Sequence, residues 1–275
     1  MAEYNWYDFN NTKRSLKELA IQKNSDEYDK DSPKQRACAI EVLRHKIQES
    51  QVLRGEIKTD DKNLIRFLYA RKFNMPETLN LIENYYDYKQ KHPEIFQVTN
   101  GTKLAIKDGF PSILKDRDRR GRCVLVLNSS NWDTNIYSLI DIFRALIISL
   151  EKLTLDSHNQ ICGFVIIIDW SEFTLKQSAN LNPRLLKIIV EGLQDCYPAK
   201  FKGIHFIGQP WYVATALTVM KPFLKEKARN RIHLHGNNLA TLHEHVTIDI
   251  LPTELGGEGP PLDTARWADQ IFHSL

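Results

Sequence analysis

Apolar positions in the first hundred residues recur with the period of an amphipathic helix. Three helices are predicted there, and their opening cap or proline signals are Ser32-Pro33, Asp60 or Asp61, and Pro76. The predicted apolar stripe of the third helix consists of Leu79, Ile82, Tyr86 and Lys89. We therefore predict a small helical bundle over residues 32–95. Residues 1–31 are predicted to form a polar tail, within which residues 14–21 carry a weaker helical pattern.

The pattern changes after Gly109, where short apolar runs alternate with longer helical segments. The predicted strands are residues 112–115, 123–127, 161–168 and 201–207. The predicted helices between them are residues 137–155 and 183–193. Continuous apolar runs of this length are typical of strands that are buried on both faces. The alternation predicts an α/β domain over residues 96–275 with a mixed, largely parallel sheet.

Composition and charge narrow the function classes. The chain of 275 residues is 42% hydrophobic and 26% charged, as in ordinary globular proteins, and its net charge is +3. This small charge argues against nucleic acid as a partner. The four cysteines are scattered without a Cys-x-x-Cys pair, which favours a reducing, cytoplasmic location without disulfides. The longest apolar run is much shorter than the roughly 20 residues of a membrane-spanning helix.

One segment combines clustered positive charge with apolar side chains. Residues 221–231 contain five cations and one anion, with Phe223 and Leu224 among them. An anionic membrane surface attracts this combination, because the cations meet phosphates and the apolar groups insert. The alternative is the solvated face of an ordinary domain.

Signatures of catalysis are incomplete in the sequence. Gly203 and Gly208 have the spacing of a phosphate loop, but the required lysine does not follow them. The lone Asp169 after a predicted strand is interpreted as a cap or turn residue. Neither a serine nucleophile elbow nor a dinucleotide fingerprint occurs. We predict that the protein is not an enzyme and needs no cofactor.

Two His-x-His pairs stand near the end of the chain, formed by His233, His235, His243 and His245. Such a pair can bind zinc when both side chains face the same way on a strand. Since no cysteine or spaced carboxylate completes a ligand set, we interpret these residues as hydrogen-bonded structural histidines and predict no metal site.

Seven ordered motifs resemble those of the CRAL-TRIO family of lipid-transfer proteins over residues 35–267. They are FLYARKF at 67–73, DGFP at 108–111, NWD at 131–133, GLQD at 192–195, KPFL at 221–224, HGNN at 235–238 and LPTELGG at 251–257. The similar branch includes α-tocopherol transfer protein, cellular retinaldehyde-binding protein and the clavesins. The clavesins are the most similar, on IDWS at 168–171, GLQD and QPWY at 209–212. Tyr69 departs from the family pattern, which often has Arg there.

The resemblance implies a CRAL-TRIO fold in which the sheet floors an apolar pocket for one hydrophobic ligand, such as a retinoid, a tocopherol or a phospholipid. The implied pocket lining is Phe143, Ile147, Leu150, Phe164, Ile166, Ile168, Phe173, Ile189, Tyr197 and Ile204. A gate helix over residues 209–220 is implied to close the pocket with Trp211, Leu217 and Met220. Glu151, beside the pocket wall, is expected to be structural and paired with a basic residue that the sequence does not identify.

The resemblance also implies a phosphoinositide-binding site. Its expected residues are Arg71, Lys200, Lys202, Lys227 and Arg231. Reversible, peripheral docking on endosomal or trans-Golgi membranes would follow. Vesicle-coat proteins are a further partner that the resemblance allows, although tail-dependent contacts are not expected because the chain ends soon after Trp267. A protein-interaction module with a vestigial pocket is the alternative function.

Overall fold

The helical part of the chain agrees with the predicted bundle. The computed structural model describes residues 33–50 and 57–273. Its first helices are α1 (Pro33–Glu49), α2 (Asp61–Ala70), α3 (Met75–Lys91) and α4 (Asn100–Lys107). The Asp60 carboxylate caps α2 by accepting from the backbone N–H of Asn63 at 3.0 Å, as predicted. The predicted tail and the Ser32 cap lie outside the described residues.

The buried stripe of α3 differs from the predicted one. The buried side chains are Thr78, Leu81, Ile82, Tyr85 and Tyr88. Lys89 is exposed, and Leu79 and Tyr86 are only partly buried. The helical period is compatible with both the predicted and the observed buried stripe. In the observed stripe, aromatic rings contact each other. Tyr85 makes edge contacts with the rings of Phe67 at 5.5 Å and Phe96 at 6.0 Å.

Five strands form one mixed sheet in the order β1-β2-β3-β4-β5. They are β1 (Ser112–Ile113), β2 (Cys123–Asn128), β3 (Phe164–Asp169), β4 (Phe201–Ile207) and β5 (Ile232–Gly236). β1 is antiparallel to β2, and the other pairs are parallel, which confirms the predicted largely parallel sheet. β5 was not among the predicted strands.

The predicted strand 161–168 was wrong at its start. Ile161 and Cys162 end a short helix, and Gly163 stops that helix with a φ of 82°. Glycine adopts this left-handed conformation without the steric penalty that a Cβ imposes. β3 therefore starts at Phe164.

The remaining helices surround the sheet. They are α5 (Leu139–Leu153), α6 (Ser157–Cys162), α7 (Leu175–Ser178), α8 (Pro183–Glu191), α9 (Trp211–Met220), α10 (Glu226–Arg229), α11 (Leu239–His243) and α12 (Thr264–Phe272). A π-helical turn, Gly192–Cys196, follows α8. Among the described residues, no helix has the length and apolar character required to cross a membrane.

Alternating side chains of the central strands bury both faces of the sheet. One face presents Leu125, Ile166 and Phe206 to a large core that also contains side chains of α2, α3 and α5. The bundle and the α/β part therefore share this core, and the division near residue 95 stays a prediction. The opposite face presents Val126 and Ile167 to a smaller core completed by residues 242–255. The two faces of the sheet therefore have different environments, and the candidate site described below lies on the face of the larger core.

Candidate functional site

An apolar cavity of about 270 Å³ lies on the larger-core face of the sheet. Side chains of α5, α8, α9 and strands β2 to β5 line it. The described lining residues are aliphatic or aromatic, apart from Ser129 and the thioether of Met220. Such a lining can enclose a hydrophobic molecule but contributes little chemistry.

The structure brings five of the ten predicted pocket residues to this cavity, namely Phe143, Ile166, Ile168, Ile189 and Ile204. The other five belong to the adjoining core rather than to the lining, and they are Ile147, Leu150, Phe164, Phe173 and Tyr197. Phe173 illustrates the difference, because its ring lies 4.7 Å from that of Trp170 and 6.3 Å from that of Trp132. Those two tryptophans, and not Phe173, reach the cavity. The ligand-contacting role of all ten stays a prediction.

Helix α9 occupies the position predicted for the gate. Leu217 and Met220 line the cavity, as do Val213 and Ala216. Trp211, the third predicted gate residue, does not line it and is 75% exposed. Since α9 carries no charged residue, it presents apolar side chains both to the cavity and to solvent.

Hydrogen bonds tether the segment on both sides of α9 to the rest of the domain. Before the helix, the Gly208 N–H donates to the Gly236 carbonyl at 2.7 Å, and the Gln209 side chain accepts from the Gly236 N–H at 3.1 Å. After the helix, Gln194 of the π-helical turn donates to the Phe223 carbonyl at 3.0 Å and accepts from the Lys225 N–H at 3.1 Å. Within the helix, the Tyr212 hydroxyl donates to the Phe173 carbonyl.

Two buried polar atoms of residues in the cavity wall have no hydrogen-bond partner within the described part of the chain. They are the Ser129 hydroxyl and the indole Nε1 of Trp170, and neither is exposed to the cavity. Asn128 and Asp169, which directly precede them, are paired in the β2–β3 register. Both polar atoms therefore belong to the same end of the sheet, where ligands of parallel sheets commonly bind.

A second, basic groove of about 380 Å³ adjoins the apolar cavity. All five predicted phosphoinositide-binding residues line it: Arg71, Lys200, Lys202, Lys227 and Arg231. Sequence reasoning omitted Lys72 and Lys225, which also line the groove, although both belong to motifs or segments that it singled out. Glu77 and Asp195 are the acidic residues among the described lining. The groove is therefore strongly cationic, in contrast to the small net charge of the chain.

Burial and mutual repulsion affect the charges of the groove. Burial lowers the pKa of Lys227, and nearby Arg231 and Arg71 lower it further. Burial also lowers the pKa values of Arg71 and Arg231. Lys225 forms an ion pair with Asp195. A bound phosphate would relieve this repulsion and could accept charge-assisted hydrogen bonds.

The cavity and the groove share a wall of six apolar residues. Those residues are Ile166, Val190, Leu193, Ile204, Leu224 and Ile232. Leu224 belongs to the segment between α9 and α10, next to Lys225, so one short stretch contributes to both spaces. Movement of the segment around Leu224 would therefore change the cavity and the groove together.

Glu151 and Asp169 have the structural roles expected from the sequence. The missing basic partner of Glu151 is Arg66, whose Nη1 lies 2.7 Å from Oε2 of Glu151. Asp169 accepts hydrogen bonds from the backbone N–H of Ser171 at 2.9 Å and from its hydroxyl at 2.6 Å, which confirms the turn interpretation. Neither acid lines the apolar cavity.

A larger cavity, of about 640 Å³, lies elsewhere, between β1 and α12. Its lining mixes cations such as Lys115 and Arg266 with carboxylates such as Asp116 and Asp263, and it contains none of the predicted site residues. Size alone therefore does not identify the functional site.

The comparison with known proteins agrees with the fold and the cavity. A model of the CRAL/TRIO domain matches residues 107–257, which is more than half of the chain. The chain belongs to the CRAL/TRIO family. The matched region contains the whole sheet and helix α9. Membership confirms the resemblance to a family of lipid-binding and lipid-transfer proteins.

Individual relatives identify the branch of the family that this chain resembles. Clavesin-2 of Mus musculus is 49% identical over 222 residues, covering 79% of this chain and 68% of that protein. Clavesin-1 of Xenopus laevis is 48% identical over 222 residues, covering 79% of this chain and 67% of that protein. The crystal structure of Sfh5 superposes with a TM-score of 0.55 at 11% identity, covering 100% of this chain and 98% of that chain. The first two confirm the clavesin-like assignment, and the third shows the shared fold.

Proposed function

We propose that this CRAL/TRIO protein is a non-catalytic carrier that encloses one hydrophobic ligand in the apolar cavity and docks reversibly on phosphoinositide-containing membranes. The observation that carries the proposal is the wall shared by the cavity and the basic groove. A carrier needs one surface that holds the cargo and another that senses the membrane. In this chain the two surfaces meet at Leu224 and Ile232.

The lining of the cavity favours a largely apolar ligand, or the apolar part of a larger one. The cavity surface is almost entirely apolar, so a polar group held inside it would lose its hydrogen bonds to water, at a cost of about 1–3 kcal/mol. Retinoids, tocopherols and phospholipids all have large apolar parts, so the cavity supports the ligand class without choosing among them.

Docking is proposed to use the groove cations together with the outer surface of α9. Trp211 and Val219 are 75% and 63% exposed, and their spacing places them on one side of the helix. Each cation near an anionic membrane contributes about 1 kcal/mol. Phosphate binding in the groove and insertion of Trp211 would favour an open position of α9, provided that the membrane binds the open form more tightly than the closed form.

The cargo proposal can be tested by native mass spectrometry of the purified protein, followed by organic extraction. Ala216→Phe should fill the cavity and abolish the co-purifying hydrophobic molecule. Thr218→Phe is the matched control, because Thr218 lies on the exposed side of the same helix. Failure of the wild-type protein to retain or load any lipid would favour the protein-interaction alternative.

The docking proposal can be tested by co-sedimentation with vesicles that contain phosphoinositide or only neutral lipid. Lys227→Glu with Arg231→Glu should weaken binding to the phosphoinositide vesicles at least 25-fold, since removing two cations costs about 2 kcal/mol. Lys221→Glu with Arg229→Glu makes the same charge change in the same segment, outside the groove lining. Equal losses in both double variants would indicate a diffuse charge effect and contradict the groove.

Endosomal or trans-Golgi association and contact with vesicle-coat proteins are further parts of this proposal. They rest on the likeness to clavesins, and imaging of the groove variants in cells would test the membrane location. A groove variant that stays on the same membranes as the wild-type protein would contradict it.

A further inference from the structure

Three histidines that are far apart in the sequence meet on the sheet face opposite the apolar cavity. His205 lies on β4 and is paired with His233 on β5 in the parallel register. His245 follows α11 and brings its ring 5.0 Å from that of His205 and 4.4 Å from that of His233. One ring nitrogen from each residue lies within 4.8 Å of the others. Sequence spacing had grouped His233 with His235, so it missed His205.

Hydrogen bonds fix the ring nitrogen that His205 presents to this cluster. The Thr241 hydroxyl donates to the Asn238 carbonyl at 2.8 Å, so its oxygen accepts from Nδ1 of His235 at 2.7 Å. Nε2 of His235 is then the acceptor for Nδ1–H of His205 at 2.9 Å. This sequence of bonds leaves a lone pair on Nε2 of His205.

His235 thus serves as the outer partner of the cluster, as predicted for a structural histidine. The His205 ring is thus oriented, with one nitrogen hydrogen-bonded and the other available, which is the usual form of a metal-binding histidine. His233 and His245 differ from His235 in their hydrogen bonding. Within the described residues, their rings make no hydrogen bond, and both are more exposed than the buried His205.

Charges of both signs surround the cluster. Arg122 donates a hydrogen bond to the His245 carbonyl at 3.3 Å and forms an ion pair with buried Asp118. Glu244 is a nearby anion that acts on His235.

We propose that His205, His233 and His245 bind one Zn²⁺ ion, with the fourth coordination position open to solvent. Zn–N bonds of about 2.0–2.1 Å require ligand nitrogens about 3.4 Å apart in a tetrahedral site. Rotation of the partly exposed His233 ring and the exposed His245 ring is needed to bring one nitrogen of each to that distance from Nε2 of His205. Three imidazoles with one open position form a known type of zinc coordination.

The ion would join three separate parts of the fold. It would connect β4, the edge strand β5 and the segment after α11 on the face that contacts the smaller core. Ile204, Phe206 and Ile232 point to the cavity on the other face. Zinc binding would therefore stabilise the edge of the sheet without entering the lipid site, so it can succeed or fail independently of the carrier proposal.

The test uses the full chain without a polyhistidine tag. Zn²⁺ binding is measured by competition with a chromogenic chelator, and Co²⁺ is added separately to look for the visible bands of a tetrahedral site. The wild-type protein should bind one ion per chain and melt at a higher temperature with zinc. His233→Asn with His245→Asn, both at accessible positions, should weaken binding at least tenfold and abolish the thermal shift.

Controls separate this cluster from weak surface binding. His45 lies 3.2 Å from Glu49 on α1, and His45→Asn should bind zinc like the wild type. Circular dichroism and thermal unfolding in the absence of zinc should establish that the double variant is folded. The proposal is overturned if the wild-type protein binds no stoichiometric zinc, or if the double variant binds it as tightly as the wild type.

Discussion

Nη1 of Arg66 donates to Oε2 of Glu151 across 2.7 Å, although the two residues are 85 positions apart in the chain. The contact links α2 of the bundle to α5 of the α/β part. The Tyr85 hydroxyl donates to the other carboxylate oxygen at 2.8 Å. Arg66 is only 4% exposed, and its guanidinium lies over the rings of Phe67 and Tyr85 at 5.2 and 5.5 Å. This network is a buried polar link between the two parts of the shared core, which the Tyr88 hydroxyl and Arg144 also join through the carbonyls of Ile188 and Glu94.

Removing the carboxylate should cost more stability than removing the cation. Glu151→Ala leaves the buried charge of Arg66 without its partner, at an expected cost of about 3 kcal/mol. Arg66→Met should cost less, because Glu151 is partly exposed and keeps the hydrogen bond from Tyr85. Urea unfolding measures both. The double variant should be more stable than Glu151→Ala alone, and the reverse order would contradict the buried-charge argument.

The same carboxylate should make stability depend on pH in the acid range. Burial tends to raise the pKa of Glu151, but the charge and hydrogen bonds of Arg66 outweigh it, so the pKa lies below the ordinary 4.5. A lowered pKa in the folded state means that the contribution to stability is complete above pH 4.5 and is lost as the pH falls through the folded-state pKa. Unfolding measured from neutral pH down to about pH 3 should show a smaller difference between wild type and Glu151→Gln at the acid end. A difference that does not change with pH would exclude this linkage.

Gly163 should tolerate no side chain. Its φ is 82°, and a Cβ at this position would lie 2.4 Å from the Lys200 carbonyl oxygen. That oxygen accepts the β3–β4 hydrogen bond from the Phe164 N–H at 2.8 Å. Gly163→Ala should destabilise the protein by about 3 kcal/mol, of which backbone strain supplies about 1 kcal/mol. Gly236→Ala is the control, since its φ is 56° but, apart from its two chain neighbours, no atom of the described residues lies within 4 Å of the added carbon. Comparable losses of stability in thermal unfolding would show that the contact with Lys200 is unimportant.

Trp211 should matter for membrane binding and not for folding. Trp211→Ser is expected to change stability by less than about 0.5 kcal/mol, because the side chain is 75% exposed. Binding to phosphoinositide vesicles should fall several-fold through the loss of the inserted ring. Ile136→Ser is the matched control, because Ile136 is 56% exposed and does not belong to α9 or to the lining of either space. A Trp211 variant that binds vesicles like this control would exclude α9 from the docking surface.

Local signals predicted much of the fold. Side-chain caps such as Asp60 and the proline at the start of α8 act within one turn, so they are visible in a short stretch of sequence. The apolar runs that became β2, β3 and β4 reflect burial on both faces. The start of β3 was missed because the apolar residues 161–162 suit a buried helix end as well as a strand, and only the conformation of Gly163 separates them.

Side chains of similar character could not be sorted by sequence into cavity lining and solid core. Phe164 and Ile166 are two residues apart on β3 and point to the same face of the sheet. Ile166 nevertheless lines the cavity, and Phe164 packs into the core. The decision depends on what lies opposite each residue, which is a property of helix packing.

The sequence by itself determined the α/β architecture, the apolar character of the pocket and the basic segment, because local propensity and burial leave periodic and compositional marks. Only the tertiary structure decided which distant groups meet. Arg66 reaches Glu151, the groove cations adjoin the cavity, and His205 lies opposite His233 because strand register and helix packing fix those contacts. Contacts of this kind depend on distances in three dimensions, and the spacing of residues along the chain does not encode them.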